Sequence, residues 1–307
     1  MKPPPPIPPA GLLVLDKPAG ASSRDAVNVV QRAARGAGWG RRVKVGHAGT
    51  LDPIASGVLV VCVGKATRLI ERVQALPKTY EAGFRLHVSS PSLDVEADPV
   101  PVPDPPTVTR EQIEAALPRF LGEIDQTPPA FSAVKVGGRR AYDLARQGEE
   151  VELEPKRVRV DRLEVLSFDG ERLALRIVCG SGFYVRSLGR DLAAALGTEA
   201  VMETLIRTRI GGFDLEGALE PTAVTEETLP GLLGLRFDRL GLPTATCDDD
   251  QAIDLRAGRY AQLSFEAAPG EPGDCGVRDA AGKPVCVGVR DPDGTLRPRT
   301  TFPLPTV

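Results

Sequence analysis

The chain has 307 residues, 38 Lys+Arg against 41 Asp+Glu for a formal net charge of −3, and 42% hydrophobic and 26% charged residues. These are values of a folded protein with a real core, so wholesale disorder and a uniformly basic, histone-like binder are excluded. With 32 glycines and 29 prolines but only nine Phe, four Tyr and one Trp, loops are many and each aromatic is scarce.

Charge is distributed unevenly along the chain. Through residue 72, eleven Lys/Arg face four acids, a net of +7, which leaves −10 for the remainder. A basic face on an acidic protein suits a polyanion bound on one side. The five cysteines (Cys62, Cys179, Cys247, Cys275, Cys286) are scattered, form no C-x-x-C pair and have only two histidines beside them. That pattern predicts free thiols in a reducing, cytoplasmic compartment and no metal site. The longest uncharged apolar run, residues 54–64, falls well short of the roughly 20 needed to span a bilayer, so no membrane segment is expected.

In chain order, residues 1–10 are expected to be a flexible lead-in. Residues 11–16 predict a strand that ends in the turn Lys17-Pro18-Ala19-Gly20. Ser22-x-x-Asp25 has the form of a capping box, and the apolar spacing after it predicts a helix to Gly36. Val58 to Val63 is a β-branched run that predicts a strand buried on both faces. A helix is expected over 65–75, a strand over 80–88, a proline-rich surface connection over 95–108 and a helix over 109–120. A short helix over 141–147, strands over 158–166 and 173–179 and a helix over 185–196 follow. From about Leu242 the texture turns to short apolar segments with hairpin turns at Ala281-Gly282 and Asp293-Gly294. The mixture, without regular βαβ alternation, predicts an α+β fold: a large domain over 11–241, which the family resemblance given below makes the catalytic domain, and a small β-rich domain over 242–307.

Two motif readings can be compared. Gly57 to Lys65 places six residues between its glycines where a phosphate loop has four, and those six form a buried-strand run, so no nucleotide cofactor is expected. The stretch Gly46-His47-Ala48-Gly49-Thr50-Leu51-Asp52-Pro53 holds a carboxylate on a rigid loop of small residues at the entrance to that strand. This is a good place for a nucleophile that must meet a planar ligand.

Gly46 to Leu59 resembles the central motif of the TruB family of tRNA pseudouridine synthases, G-H-x-G-x-L-D-P-x-A-[ST]-G-[VML]-L. Further matches follow in order: Leu15-Asp16-Lys17-Pro18 with Ser22-Ser23, Lys78-Thr79-Tyr80, Gln126 through Gly148, Gly182-Phe183-Tyr184-Val185-Arg186-Ser187-Leu188, and Leu205 through Gly211. The resemblance covers residues 11 to about 213, and the β-rich tail resembles the family's PUA-type RNA-binding domain. Two departures stand out. The family's Thr-Asp-Thr-x-Asp-x-x-Gly segment is replaced around Ser89 to Asp98, keeping Asp94, and Ile206 stands where an arginine is usual.

The resemblance implies a pseudouridine synthase fold with a mixed or antiparallel sheet. It implies isomerisation of uridine to pseudouridine at position 55 in the T-loop of tRNA, without cofactor or metal. Asp52 is then the essential nucleophile, acting at the base or the sugar C1′ or stabilising charge as the base detaches. Arg186 is its guanidinium partner, favouring the ionised carboxylate. Tyr80 stacks on the uracil and exchanges the C5 proton, Tyr184 and Leu205 line the pocket, and His47 supports extrusion of the base. Lys17 and the basic segment 24–44 are expected to hold the backbone of the tRNA T-arm, with Lys135, Arg139, Arg140 and Arg146 of a gripping loop at about 126–148. A monomer is expected. The alternative is an RNA-binding or tRNA-folding chaperone of the same fold, favoured only if Asp52 is dispensable.

Overall fold

The computed structural model describes residues 8–40, 43–132, 134–149, 153–263 and 273–304. Residues 1–7 of the lead-in and Arg41 and Arg42 of the basic segment lie outside the described residues. The chain divides into two compact units: Met1–Asp52 with Gly57–Gln74 and Gly211–Val307, and Pro53–Ser56 with Ala75–Ile210.

The first unit opens with β1 (Gly11–Lys17), α1 (Ser23–Gly36), β2 (Val45–His47), β3 (Ser56–Val63) and α2 (Ile70–Ala75). β3 pairs antiparallel with β1, Leu15 opposite Leu59, and with β2, His47 opposite Val61. Every residue from Val58 to Val63 is out of water, as an apolar run without polar alternation requires. The capping box forms: the Ser22 hydroxyl accepts from the Asp25 N–H at 3.1 Å, and the Asp25 carboxylate accepts from the Ser22 N–H at 3.0 Å. Ala26, Val30, Ala33 and Ala34 then pack on Leu13, Leu15, Leu59 and Val61, the stripe an amphipathic helix buries. The helix expected over 65–75 is split. Gly64–Leu69 is a 3-10 turn, tightened where Thr67 Oγ1 donates to the Gly64 carbonyl at 2.8 Å, and α2 begins only at Ile70.

The second unit contains β4 (Lys78–Leu86), β5 (Val88–Ser89), β6 (Val100–Pro101), α3 (Arg110–Ala116), β7 (Gly122–Gln126), β8 (Lys135–Val136) and β9 (Arg139–Arg140). It continues with α4 (Ala141–Arg146), β10 (Lys156–Phe168), β11 (Arg172–Cys179), α5 (Val185–Ala195) and β12 (Ala200–Ile210). Its sheet runs β12-β4-β11-β10-β7 with every pairing antiparallel. One face is a ladder of charges, with Arg176 between Glu81 and Glu164. The other carries Phe84, Leu173, Leu175 and Ile177, all buried. Two strands of this sheet are absent from the sequence-based expectation. β12 carries register shifts between Met202 and Thr204 and between Arg207 and Arg209, which break the period of two by which a strand is read. β7 is short and mostly exposed.

The rest of the first unit holds β13 (Phe213–Asp214), α6 (Leu229–Leu232), β14 (Thr244–Cys247), α7 (Asp249–Arg256), β15 (Ala261–Gln262), β16 (Gly273–Asp279), β17 (Pro284–Arg290) and β18 (Thr295–Thr301). Five of these strands form a sheet ordered β14-β16-β17-β18-β15, parallel only at β14–β16. The β-rich tail therefore has its own core, with Leu255, Val277, Val285 and Leu296, and includes a helix that the sequence reading omits. Asp248 caps that helix in a box with Gln251. The tail is seated on earlier parts of its unit: the Phe237 ring lies against Gly276, where no Cβ would fit, and Arg72 of α2 pairs with Asp274. The whole is an α+β fold.

The approach of α5 to β4 depends on a missing side chain. A Cβ at Gly189 would stand 2.5 Å from the Phe84 ring, a contact that requires displacement. Gly189→Ala is expected to lower the unfolding free energy by about 1–3 kcal/mol, with Phe84→Leu recovering part of the loss in the double variant. Urea denaturation of the four proteins checks this, and an unchanged midpoint for Gly189→Ala contradicts it.

Candidate functional site

The loop that carries Asp52 is built on three backbone anchors of the first unit. Antiparallel pairing fixes His47 opposite Val61, and the Ala48 N–H donates to the Val60 carbonyl at 2.9 Å. Gly49 and Gly57 take φ of 113° and 103°, a region that favours glycine. The third anchor is Ser23, buried in the first turn of α1. Its hydroxyl accepts from the Leu51 N–H at 2.9 Å and donates to the Leu51 carbonyl at 3.1 Å. The residue before Asp52 is thus clamped at both backbone groups, and Asp52 itself is half-buried.

Lys17 departs from its expected role. The residue is fully buried, and its ammonium donates to the carbonyls of Pro18 at 2.9 Å and Ala21 at 2.7 Å. A buried ammonium is retained only where acceptors surround it. Lys17 fastens the turn that delivers Ser22 and Ser23 to α1, and it presents no exposed charge to a phosphate.

In the second unit, β4 and its neighbours bring several expected residues onto one face. Tyr80 lies opposite Ile177 of β11 and Arg207 of β12, and Ala82 lies opposite Leu205. Tyr80 is half-buried, while Leu205 and Arg207 are buried. Two positions before Tyr80 on the same face, Lys78 is buried opposite Cys179. Burial pushes its ammonium down to about 8, against the influence of Cys179 and with that of Arg207.

Tyr184 and Arg186 are placed by the start of α5. Gln126, buried at the end of β7, holds the Tyr184 backbone twice: its Oε1 accepts from the Tyr184 N–H at 2.8 Å and its Nε2 donates to the Tyr184 carbonyl at 3.1 Å. Ser187 Oγ and Arg190 Nη2 both donate to the Thr127 carbonyl, at 2.8 and 3.0 Å. The Arg186 side chain is 8% exposed. Its Nη1 lies 3.3 Å from Asp94 Oδ2 and donates to the Ser92 carbonyl at 3.0 Å, and its Nη2 donates to the Phe131 carbonyl at 3.0 Å. The altered segment that retains Asp94 is therefore part of the Arg186 environment.

Of the expected cations on the gripping loop, two are engaged within it. Arg139 donates to Gln147 Oε1 at 2.6 Å and to Glu149 Oε1 at 3.1 Å, and the Arg146 guanidinium lies 4.4 Å from the Tyr142 ring centroid. The backbones of Lys135 and Arg140 pair across a hairpin turned by Gly137 and Gly138, both at positive φ. The side chains of Lys135 and Arg140 lie outside the described residues. On α1 and just beyond it, Arg24, Arg32, Arg35 and Lys44 are exposed.

All five cysteines are free and buried. Burial pushes the Cys62 and Cys179 thiols up to about 12, which removes them as nucleophiles near neutral pH. Among the described residues no group of three or more His, Cys, Asp or Glu is arranged to hold a metal ion, and no helix is long and apolar enough to cross a membrane.

Ser23, Gln126 and Asp94 position the site through contacts that carry no local signal in the sequence. Each stands in or beside a recognised motif, but their contacts close over separations such as 28 residues for Ser23 and 58 for Gln126.

Residues 39–185 match the model of the TruB family pseudouridylate synthase, N-terminal domain. A tRNA pseudouridine synthase B of Bacteroides fragilis is 48% identical over 186 residues, 61% of this chain and 80% of the relative. One of Phocaeicola vulgatus is 44% identical over 216 residues, 70% of this chain and 92% of the relative. Among solved structures, a chain of a Cbf5-Nop10-Gar1 complex aligns with a TM-score of 0.67 at 24% identity, over 96% of this chain and 84% of that one. That likeness shows the fold.

Lys78 generates a pH-dependent expectation. Its charge is harder to bear folded than unfolded, so between about pH 8 and 10.5 the unfolded chain holds more protons and stability from this group rises with pH. Lys78→Met is therefore expected to stabilise the protein at pH 7 by about 1–3 kcal/mol, and the advantage should shrink as pH rises to 10. Urea denaturation of both proteins at the two pH values measures it, and an equal difference at both is the contrary result.

Proposed function

The chain belongs to the TruB family of pseudouridylate synthases, and from that premise we propose that it is an isomerase converting uridine to pseudouridine in tRNA, at position 55 of the T-loop. The reaction breaks the N1–C1′ bond of the nucleotide and forms C5–C1′, and the proton displaced from C5 is balanced by one taken up at N1. There is no net redox change. The observation that carries the reading is the loop clamped by Ser23 at Leu51, which presents the Asp52 carboxylate on a fixed backbone.

Asp52 is the nucleophile and Arg186 the guanidinium that supports its charge. Tyr80 offers a π-face to the uracil and a phenol to take the C5 proton, and Tyr184 and Leu205 line the pocket. A T-loop uridine is stacked, so it must be extruded at a cost of a few kcal/mol, which His47 supports. The exposed cations of α1, with Lys44 and the gripping loop, bind phosphates of the T-arm, a contact that positions the RNA without reading sequence. The β-rich tail from 242 is a PUA-like RNA-binding domain. The protein acts as a monomer in the cytoplasm, in keeping with five free cysteines.

Asp52→Asn is expected to abolish pseudouridine formation on a tRNA transcript while leaving RNA affinity within about tenfold, about 1.4 kcal/mol. Retained turnover in that variant removes Asp52 as the nucleophile, whereas a parent that binds tRNA and forms no pseudouridine favours the chaperone reading. Tyr80→Phe keeps the stacking contribution of about 1–3 kcal/mol per base and loses the phenol, so its kcat should fall with KM little changed. Parental kcat in Tyr80→Phe removes the proton-transfer role and leaves stacking.

A further inference from the structure

The proposed chemistry needs the Arg186 guanidinium in one orientation, and a compact turn of this chain determines it. Ser90-Pro91-Ser92-Leu93-Asp94 is the segment whose sequence departs from the family pattern. Ser90, Ser92 and Asp94 are all buried. The two serine hydroxyls lie 3.1 Å apart and converge on one acceptor, the carbonyl of Asp94, at 3.0 and 3.1 Å. The Asp94 carboxylate is fixed in turn: Oδ1 accepts from the Glu96 N–H at 3.1 Å, which leaves Oδ2 3.3 Å from Arg186 Nη1. The same nitrogen donates to the Ser92 carbonyl at 3.0 Å.

The turn is not one that this sequence adopts freely. Leu93 sits at φ 61°, a region unfavourable for a residue with a Cβ. It is pinned there by its N–H on the Ser90 carbonyl at 3.1 Å and by the Met202 N–H on its own carbonyl at 3.0 Å. Without the two hydroxyls the buried Asp94 carbonyl loses those donors, which costs more than an exposed hydrogen bond. The turn then has reason to relax at Leu93, and Asp94 moves with it.

We infer that Ser90 and Ser92 are positioning residues for the isomerisation, holding Asp94 and, through it, the Arg186 guanidinium. The inference rests on the proposed function, because it concerns the same arginine. Neither hydroxyl touches the substrate. Their removal should act on the chemical step and spare RNA binding.

The test uses the full-length protein and a tRNA transcript. Ser90→Ala/Ser92→Ala is expected to lower kcat about 10- to 100-fold, the scale of a reacting group displaced by about an ångström. KM should stay within about threefold of the parent, and Ser90→Thr/Ser92→Thr, which restores both hydroxyls, should recover parental kcat. Thermal unfolding of each variant accompanies the kinetics. Parental kcat in the alanine variant, or a rate loss no larger than its loss of folded protein, overturns the inference, as does failure of the threonine variant to recover while folded. If the double alanine variant does not fold, Ser92→Ala alone carries the test on the same criteria. A parent that forms no pseudouridine sinks the functional reading and this inference with it. An active parent with an unaffected alanine variant sinks the inference alone.

Discussion

A guanidinium taken out of water must meet acceptors on several sides, and the second unit is organised around meeting that requirement for Arg186. Asp94 supplies the countercharge, and the carbonyls of Ser92 and Phe131 supply neutral acceptors. These groups come from two segments remote in sequence, so burying one arginine ties the 90–94 turn and the segment at 131 to the first turn of α5. Removing either side of such a pair leaves a buried charge uncompensated. The α5 start is fixed independently by Gln126 and Thr127, and its seat on the sheet by Gly189 against Phe84. Arg186 can then hold its orientation without help from RNA, which is what a preorganised site requires.

The first unit uses the same physics on a backbone target. Lys17 is buried with its ammonium on two carbonyls of the turn after β1, Ser22 caps the helix that follows, and Ser23 spends its donor and acceptor on Leu51. The chain of contacts runs from a buried charge to a helix start to the residue preceding Asp52. Polar groups near the proposed nucleophile thus serve to hold backbone in place, and the half-buried carboxylate is the exposed end of that construction.

This division explains which parts were legible in the sequence. The β3 run, the capping box of α1 and the position of α5 follow from local pattern, and so does the loop ending in Asp52, whose small residues leave few alternatives. Lys17 reads as a contact to the RNA backbone through the family resemblance alone, and no local signal marks it as buried. Its burial becomes visible only when the turn closes over it. β12 escapes detection because two bulges shift its alternation, and one of its residues, Arg207, is fully buried where a polar side chain predicts exposure. Asp94 is readable as a retained acid, but its partner stands more than ninety residues away. Contacts of that kind depend on the sheet and carry no local signal.

The cations of the two regions differ in how readily they can change partners. Arg139 and Glu149 form their pair with both side chains about half exposed, and pairs of that kind contribute roughly 0–1 kcal/mol. A phosphate of higher charge density can replace Glu149 at little cost. The arginine is in the meantime held near the hairpin without being committed to it. Arg146 over Tyr142 is similar, since a guanidinium stacked on a ring keeps its N–H edges available. Arg186, enclosed by Asp94 and two carbonyls, has no such freedom. Exposure therefore separates the arginines that can change partners from the one that must stay where the fold puts it, a distinction that neither charge count nor sequence position makes.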